Sequence, residues 1–571
     1  MASRRALVKR ALGIQDGGRA PATRFQEREE VDFVIVGCGT AGGILAKELS
    51  TRGFSVVVLE QGPYLRSGDF GHDELSTFLT DTPLTGSATE FPQTFRTTED
   101  EEARPGGGFS GGVFYARMVG GSSAHFTGNM WRFRPVDFHE HGLLGDIPGA
   151  ALADWPIDYD ELEPYYTKAE WEMGISGAPG PNDPPRSRGY PMPPLPVKSS
   201  GVLLERGARA VGLTPQPAPM AILSEPYRER PPCQHCGFCL GFPCEFNAKS
   251  STLVAMVPLA EATGRCEIRT RSTAFRVALD DAGRAREVRY FDADGVEHAQ
   301  AAKAVILSAN GAETARLLLM SESSRFPDGL ANSSGMVGKH LMFNGISACH
   351  ALFDEPLNEF KSVQVTRIVM DFYDSDPERG FYGGGGIDAR WLHFPILFGL
   401  GGLPPDAPTW GRGYAAMLSE YFNRTMDING HTTSLPLERN NITLDPEVKD
   451  GFGLPAIRTT YLDHPDDMAM KTFLQDRGVE ILEAAGARRV WRSRVTPESL
   501  GAHLLGTARM GDDPATSVVD STHRTHDVPN LFLCDGSSLV TSGRGQPTLT
   551  IMALAFRAGE RIAGLAERGE I

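Results

Sequence analysis

The stretch VDFVIVGCGTAGGILAKELSTRGFSVVVLEQG, Val31–Gly62, limits the choice of fold more than any other part of the chain. Val31–Val36 is an apolar, β-branched run of the kind that forms a strand buried on both faces. It ends in Gly37-Cys38-Gly39-Thr40-Ala41-Gly42, a GxGxxG, after which Ile44, Leu45 and Leu49 recur at helical spacing and Gly53 stands where a helix would stop. A second run, Val56–Leu59, closes on Glu60. Glycines permit the tight turn and let bare backbone approach a pyrophosphate at a helix N-terminus, where unpaired N–H groups and the helix dipole favour anions. Glu60 can accept hydrogen bonds from a ribose diol. A lone GxGxxG is weak; between two buried strands, with an acid at the right distance, it indicates a dinucleotide site. The competing reading is a glycine-rich turn of some other α/β protein. An acid rather than a base after the second strand argues against a 2′-phosphorylated ligand and leaves FAD or NAD.

At 571 residues the chain has room for two or three domains and a large core. Sixty-four glycines and 40 prolines imply many loops and tight turns. The net charge of −16, with no arginine-rich block, argues against nucleic-acid binding. No apolar run approaches the ~20 residues of a membrane helix, so the chain is not expected to span one. Ser3-Arg4-Arg5-Ala6-Leu7-Val8-Lys9 resembles a twin-arginine export signal, but the apolar stretch that should follow is missing, and residues 1–30 read as a flexible leader.

Pro63–Pro105 has little periodicity and reads as loops that wrap the cofactor. In the following GGSSAHFTGNMWRF segment, Gly120, Gly121, Ser122 and Ser123 would present backbone and hydroxyl donors to a ring system, with His125 beside them. Asp158 is a natural N-cap for a helix over the next residues, and Ala178–Ser199 is a proline-dense excursion. Arg269–Leu307 reads as an antiparallel meander turning at Asp280–Gly283 and Asp292–Gly295, and Ala304–Leu307 as a buried strand that returns to the nucleotide-binding sheet. Asn440–Leu444 reads as a strand of a second sheet, with Trp391, His393, Phe394, Trp410 and Tyr414 as candidate pocket aromatics. Asn530–Gly536 is a buried strand running into Asp535 and Gly536; a helix follows with Pro547 at its first position. No internal repeat is present.

Four segments agree on one family. The nucleotide motif, GGSSAHFTGNMWRF, HLLGTARMGDDPATSVVD (503–520) and LCDGSSLVTSGRGQPTLTIMALAFRA (533–558) together resemble the glucose–methanol–choline (GMC) flavoprotein oxidoreductases. Within that family, Trp131–Phe138 and a cysteine-rich insert resemble most the large subunits of bacterial gluconate, fructose and glucoside dehydrogenases. The resemblance implies an α/β fold: a Rossmann-like, glutathione-reductase-like FAD-binding domain with a second, α+β substrate domain built on an antiparallel sheet. The expected boundaries are 31–150, 245–340 and 495–571 for the FAD domain, and 151–244 and 341–494 for the substrate domain. It also implies oxidation of an alcohol to a carbonyl by hydride transfer to flavin N5. The cofactor-binding residues would be Gly37, Gly39, Thr40, Ala41, Gly42, Glu60, Gly120, Gly121, Ser122, Ser123, His125, Asp535, Gly536, Pro547 and Thr548. His125 stands where some members attach FAD covalently.

Hydride leaves carbon readily only if the hydroxyl proton is taken at nearly the same time, so a general base must touch the oxygen. His503 matches the family's active-site histidine. Gln546 matches a second polar position that is usually His or Asn, and a glutamine there can orient the oxygen but cannot act as a base. The helix after Pro547 would stabilise negative charge on reduced flavin.

Four of the eight cysteines fall in Cys233-Gln234-His235-Cys236-Gly237-Phe238-Cys239-Leu240-Gly241-Phe242-Pro243-Cys244. Iron–sulfur ligation by Cys233, Cys236, Cys239 and Cys244, a zinc site, disulfides and metal-free structural thiols all compete for this run. In some related dehydrogenases such a stretch binds a [3Fe–4S] cluster, and here the first expectation is an iron–sulfur cluster, [3Fe–4S] or [4Fe–4S]. Cys38, Cys266, Cys349 and Cys534 read as packing residues. The leading function is an FAD-dependent dehydrogenase of a sugar, glycoside or sugar acid with a non-oxygen acceptor. An oxygen-using oxidase and a non-redox lyase on the same fold are the alternatives. The expected partners are a small-molecule alcohol or sugar, with a small subunit and a cytochrome as electron acceptor. The expected location is the cytoplasm, or the periplasm if an exported partner carries the chain.

Overall fold

A computed structural model describes residues 23–78, 90–107, 111–390, 394–499 and 501–571. Most of the expected leader, and Trp391 and His393, lie outside the described residues.

The glycine motif sits in the parallel half of a seven-stranded sheet. Its strands run in the order Cys266–Arg269, Val56–Leu59, Val31–Val36 and Glu297–Leu307, with Leu531–Leu533 on the far side of the last. Val56–Leu59 and nearly all of Val31–Val36 are buried, as the apolar runs require for strands covered on both faces. The 11-residue strand Glu297–Leu307 has two roles. Its first half pairs antiparallel with Ala285–Phe291, closing the meander, and its second half pairs parallel with Val31–Val36. The meander turns where the Asp-x-x-Gly sequences predict: the Asp280 N–H donates to the Arg284 carbonyl at 2.9 Å and the Asp292 N–H to that of Val296 at 3.0 Å. Two helices, Thr40–Thr51 and Thr548–Glu567, cross closely over this sheet. A Cβ on Gly559 would come within 2.9 Å of the Glu48 Cβ.

A second, six-stranded sheet is antiparallel, in the order Arg489–Arg492, Ile346–Leu352, Thr425–Thr432, Gly385–Arg390, Arg367–Val369, Pro215–Pro217. Helix Pro465–Ala484 covers one face, burying Met470, Leu474 and Ile481 against Cys349 and Ile428. Strand alternation turns Ile346, Asp388, Arg390 and His431 to the opposite face, toward the cofactor sheet. The cavity described below lies there.

Pro63–Pro105 is not loop throughout. It contains a helix at Glu74–Phe78 and strands Gln93–Arg96 and Arg104–Gly106, which join Asn441–Lys449 and Pro455–Thr460 in a four-stranded sheet. Gln93–Arg96 pairs parallel with a strand more than 350 positions away, a partnership no local periodicity can announce. Asp158 caps its helix as expected, accepting the Glu161 N–H at 2.8 Å. Pro547 is the N-cap of the last helix rather than its first residue. Among the described residues no helix is long and apolar enough to cross a membrane.

Candidate active site

The turn after Val36 needs glycine for two separate reasons. Gly37 has φ +94, and a Cβ there would stand 2.5 Å from the Ser308 carbonyl oxygen. Gly39 is different, because a Cβ on it would meet only the Gly121 Cα, at 4.0 Å, so its backbone is bare toward open space. Gly121 (φ +52) comes from the second glycine turn and faces it; a Cβ on Gly121 would lie 2.9 Å from the Gly39 Cα. The 3-10 turn Gly121–Ala124 follows. Between these turns and the antiparallel sheet lies a cavity of about 710 Å³. Gly37, Gly39, Thr40, Ala41, Glu60, Gly121, Ser122, Ser123, His125, Asp535, Gly536, Pro547 and Thr548 all line it. Gly42 and Gly120 stand behind the lining as packing positions. Their Cβ atoms would lie 1.9 Å from the Gly37 carbonyl oxygen and 2.8 Å from the Leu253 Cβ.

Glu60 is buried and accepts the Cys38 N–H and the Gly62 N–H, both at 2.8 Å. Burial pushes its carboxyl pKa above the usual range, against the pull of those donors. Asp535 is likewise buried and shifted upward by burial, and it accepts the Thr314 hydroxyl at 2.6 Å and the Ser537 N–H at 2.8 Å. Bare backbone at two facing glycine turns, two helix N-termini on one cavity and a buried ribose acceptor form the donor and acceptor set of a flavin dinucleotide. The residues fit FAD.

His503 and Gln546 line the same cavity. The His503 Nδ1 lies 3.0 Å from the Asn344 Oδ1. The Asn344 Nδ2 faces three carbonyls, those of Thr432, Ser542 and Gly543, at 3.1, 3.2 and 3.3 Å. That fixes the amide: Oδ1 must accept, so His503 carries its proton on Nδ1 and keeps the Nε2 lone pair free. Burial, with His431 and the Arg390 charge nearby, pushes the His503 pKa down to about 3, so the ring is neutral.

Gln546 is oriented from behind. Its Nε2 lies 3.3 Å from the His431 Nδ1, and the His431 Nε2 lies 2.9 Å from the Asp388 Oδ2. Asp388 is the hub of this group. It also accepts the Asn129 Nδ2 at 3.1 Å, the Arg390 Nε at 2.7 Å and the Arg390 Nη2. Burial raises the Asp388 pKa, but Arg390 and His431 outweigh it and hold the carboxyl well below the usual range. Burial lowers the His431 pKa, against the pull of Asp388.

Asn129, Asn344, Asp388, Arg390 and His431 are the functional residues that sequence reasoning missed. Asp388-x-Arg390 did alternate as two polar residues on one strand face, but nothing local paired them with His431. Of the expected pocket aromatics, Trp410 is 83% exposed and the Tyr414 hydroxyl donates to the Gly399 carbonyl at 2.8 Å, so neither lines the cavity. Phe394 packs in a neighbouring aromatic cluster with Phe78 and Phe242.

The cysteine loop lies against the cofactor cavity. The His125 Nδ1 donates to the Gly241 carbonyl at 2.8 Å, and the Gly241 N–H returns to the His125 carbonyl at 2.9 Å. The Lys249 ammonium, almost wholly buried, donates to the carbonyls of Phe126, Cys239 and Phe242 at 2.9, 2.7 and 2.8 Å. Burial pushes the His125 pKa down to about 4, and its Nε2 lies 3.2 Å from the Met118 Sδ. Cys233, Cys236, Cys239 and Cys244 do line one small cavity, of about 20 Å³. Yet among the described residues no three His, Cys, Asp or Glu side chains stand together as the ligands of a metal do. The loop turns at His235 (φ +54) and Gly237 (φ +88), which leaves Cys236 exposed while Cys239 is buried. Burial pushes the Cys233 thiol up to about 11. This arrangement does not fit the expected iron–sulfur cluster. Cys38, Cys266, Cys349 and Cys534 are buried packing residues, as expected.

Two family models described as GMC oxidoreductase match residues 200–343 and 436–555. The chain is 33% identical over 550 residues to 2-methyl-1,2-propanediol dehydrogenase of Mycolicibacterium austroafricanum, covering 94% of this chain and 95% of that one. It is 30% identical to the gluconate 2-dehydrogenase flavoprotein of Pantoea cypripedii, covering 95% and 94%. It is 29% identical to the fructose dehydrogenase large subunit of Gluconobacter japonicus, covering 95% and 99%. The crystal structure of pyridoxine 4-oxidase from Mesorbium loti superposes with a TM-score of 0.65 at 18% identity, over 93% of this chain and 99% of that one. At that identity the likeness is one of fold.

Proposed function

Since the chain belongs to the GMC oxidoreductase family, we propose that it is an FAD-dependent dehydrogenase that oxidises a hydroxyl-bearing carbon of an alcohol, sugar or sugar acid to a carbonyl. FAD, when bound, supplies the two-electron acceptor for the hydride. The neutral His503, with Nε2 unprotonated and open to the cavity, carries this reading. Its Nε2 takes the hydroxyl proton as the hydride departs. Asn344 holds the imidazole in the tautomer that makes this work, and the Asn344 amide is itself locked by three carbonyls. Gln546, oriented through His431 and Asp388, presents its remaining amide valences to the substrate oxygen and sets the direction of the carbon–hydrogen bond. The helix that starts at Thr548 has its N-terminus among the cavity-lining residues, and its dipole would favour the negative charge of a reduced flavin.

We extend to this chain a protein partner as the electron acceptor, in line with the relative named as a large subunit. The test is an anaerobic visible spectrum of the purified holoprotein before and after adding simple alcohols, diols, sugars and aldonic acids. Bleaching of the flavin bands by one of these groups is the expected result, with slow reoxidation by air and fast reoxidation by an artificial acceptor. No bleaching by any alcohol overturns the reading, and fast reoxidation by air turns the dehydrogenase into an oxidase.

A further inference from the structure

His503 and Gln546 stand on different segments, yet one short stretch of backbone serves both. The carbonyls of Ser542 and Gly543 are two of the three that lock the Asn344 amide, and that amide sets the His503 tautomer. Gln546 follows directly after Gly545. Between the two lies Gly543-Arg544-Gly545. Both glycines have positive φ, +61 and +120, and both are hemmed in. A Cβ on Gly543 would lie 2.1 Å from the Phe133 ring, and one on Gly545 would lie 2.4 Å from the His431 Cβ. The segment therefore threads between Phe133 and His431 as bare backbone, and glycine backbone does not hold its own course. The side chain available to fix it is that of Arg544.

Arg544 does not line the cavity, as Gln546 does, and its side chain is wholly buried. The Arg544 Nη2 lies 2.7 Å from the Glu140 Oε1, and the Nε lies 3.6 Å from the Asp137 Oδ1. Nη2 also lies 3.3 Å from the Ser375 Oγ. Two tyrosines hold the carboxylates in turn: the Tyr373 hydroxyl donates to the Asp137 Oδ2 at 2.6 Å, and the Tyr382 hydroxyl donates to the Glu140 Oε2. Their ring centroids lie 5.7 and 5.9 Å from the guanidinium carbon. Asp137 accepts the Arg134 N–H at 2.7 Å, and its carbonyl accepts the Thr541 hydroxyl at 2.8 Å. Through Asp137, the Trp131–Phe138 motif thus reaches the segment that ends at Gln546.

Stability does not account for this cluster. Desolvating a guanidinium and two carboxylates costs about as much as their attraction returns, so a buried set of this kind adds little net stability. What it adds is geometry, because the rigid planar fork of arginine meets its carboxylates in a defined pose.

We propose that Arg544 is a positioning residue of the reaction. Held by Asp137 and Glu140, it fixes the Gly543–Gly545 backbone, and with it both the Asn344 amide behind His503 and the Gln546 amide at the substrate oxygen. It acts from outside the cavity and takes no part in proton or hydride transfer. Without that anchor the Ser542 and Gly543 carbonyls leave the Asn344 amide, which can then turn its Nδ2 toward His503. The imidazole proton moves to Nε2, and the base is lost. The inference rests on the dehydrogenase reading.

The test follows anaerobic flavin reduction in the holoprotein, using the member of the panel above that bleaches the wild type fastest. Arg544→Met is expected to keep its flavin and to lower the limiting reduction rate by about 10²-fold, the cost of a misplaced reacting group. Arg544→Lys keeps the cation but not the fork, and is expected to recover part of the loss, to about tenfold below the wild type. In an Asn344→Ala/Gln546→Ala background nothing remains to be positioned, so adding Arg544→Met is expected to cost less than about threefold. A merely structural arginine would cost the same in both backgrounds, and that result overturns the proposal. So does an Arg544→Met enzyme that reduces its flavin at the wild-type rate. If Arg544→Met does not fold, Arg544→Lys, which keeps the buried carboxylates neutralised, carries the same comparison: about tenfold alone and about twofold or less in the double background. Failure of every compound to bleach the wild type overturns the dehydrogenase reading itself, and the proposal with it.

Discussion

A general base is useful only in its unprotonated form, and His503 keeps that form well below neutrality because burial holds its pKa near 3. The sign follows directly: a depressed folded-state pKa leaves the base available as pH falls. The kcat/KM profile of the wild type is therefore expected to lack a histidine limb between about pH 5 and 8. Asn344→Asp would place a carboxylate against the Nδ1–H and raise that pKa. Activity should then fall as pH drops through the new value, a limb absent from the wild type. His503→Ala is expected to slow anaerobic flavin reduction by about 10²- to 10⁴-fold, with the oxidised spectrum unchanged because the residue belongs to neither glycine turn. His503 and Gln546 were legible because each lies within a contiguous motif. Asn344, which fixes the His503 tautomer, was not: it stands 159 positions away in sequence and carries no local signature.

At the scale of elements, the cofactor cradle depends on two glycine turns meeting backbone to backbone. Gly121→Ala would force a Cβ to 2.9 Å from the Gly39 Cα at a φ of +52. The expected result is a protein purified with little flavin, read as a loss of absorbance near about 450 nm per mole of protein, while far-ultraviolet circular dichroism is retained. The strand–turn–helix unit, the meander and the last helix could be read from the chain because their signals are local: apolar runs, turn residues, caps. The Asp388 hub could not. It joins Asn129 to Asp388 across 259 positions and Asp388 to His431 across a strand pair whose register only the folded sheet sets. The cysteine run shows the opposite failure. Its spacing was suggestive, but loop dihedrals at His235 and Gly237, which spacing does not encode, decide where the sulfurs point.

For the whole molecule, buried histidines set the response to acid. His125, His340, His503 and His523 are held neutral, with pKa values pushed down by burial to about 4, 3, 3 and 3. As pH falls below the unfolded value of about 6.5, the unfolded chain binds protons that the folded chain refuses, and each such group removes about 1.4 kcal/mol of stability per pH unit. Glu140 and Asp467 oppose this, since burial lifts both to about 8 and the folded state holds their protons first. That opposition ends once unfolded carboxyls also protonate, near about pH 4.5. Urea midpoints are therefore expected to decline gently from about pH 6.5 and steeply below about pH 5. A flat profile down to about pH 4 would contradict this account of the buried histidines.

The strand Leu531–Leu533 has a consequence for how the chain is made. It completes the parallel sheet beside Glu297–Leu307; Asp535 follows two residues later, and Gln546 and the N-terminus of the last helix follow within about fifteen. A ribosome delivers these parts after the rest of that sheet. Until they emerge, the nascent chain displays an unpaired sheet edge at Val305–Leu307 and a cofactor cleft lacking one wall. Flavin capture thus waits on the segment from Leu531 onward, and the yield of folded enzyme in a cell depends on FAD being at hand once that segment has emerged.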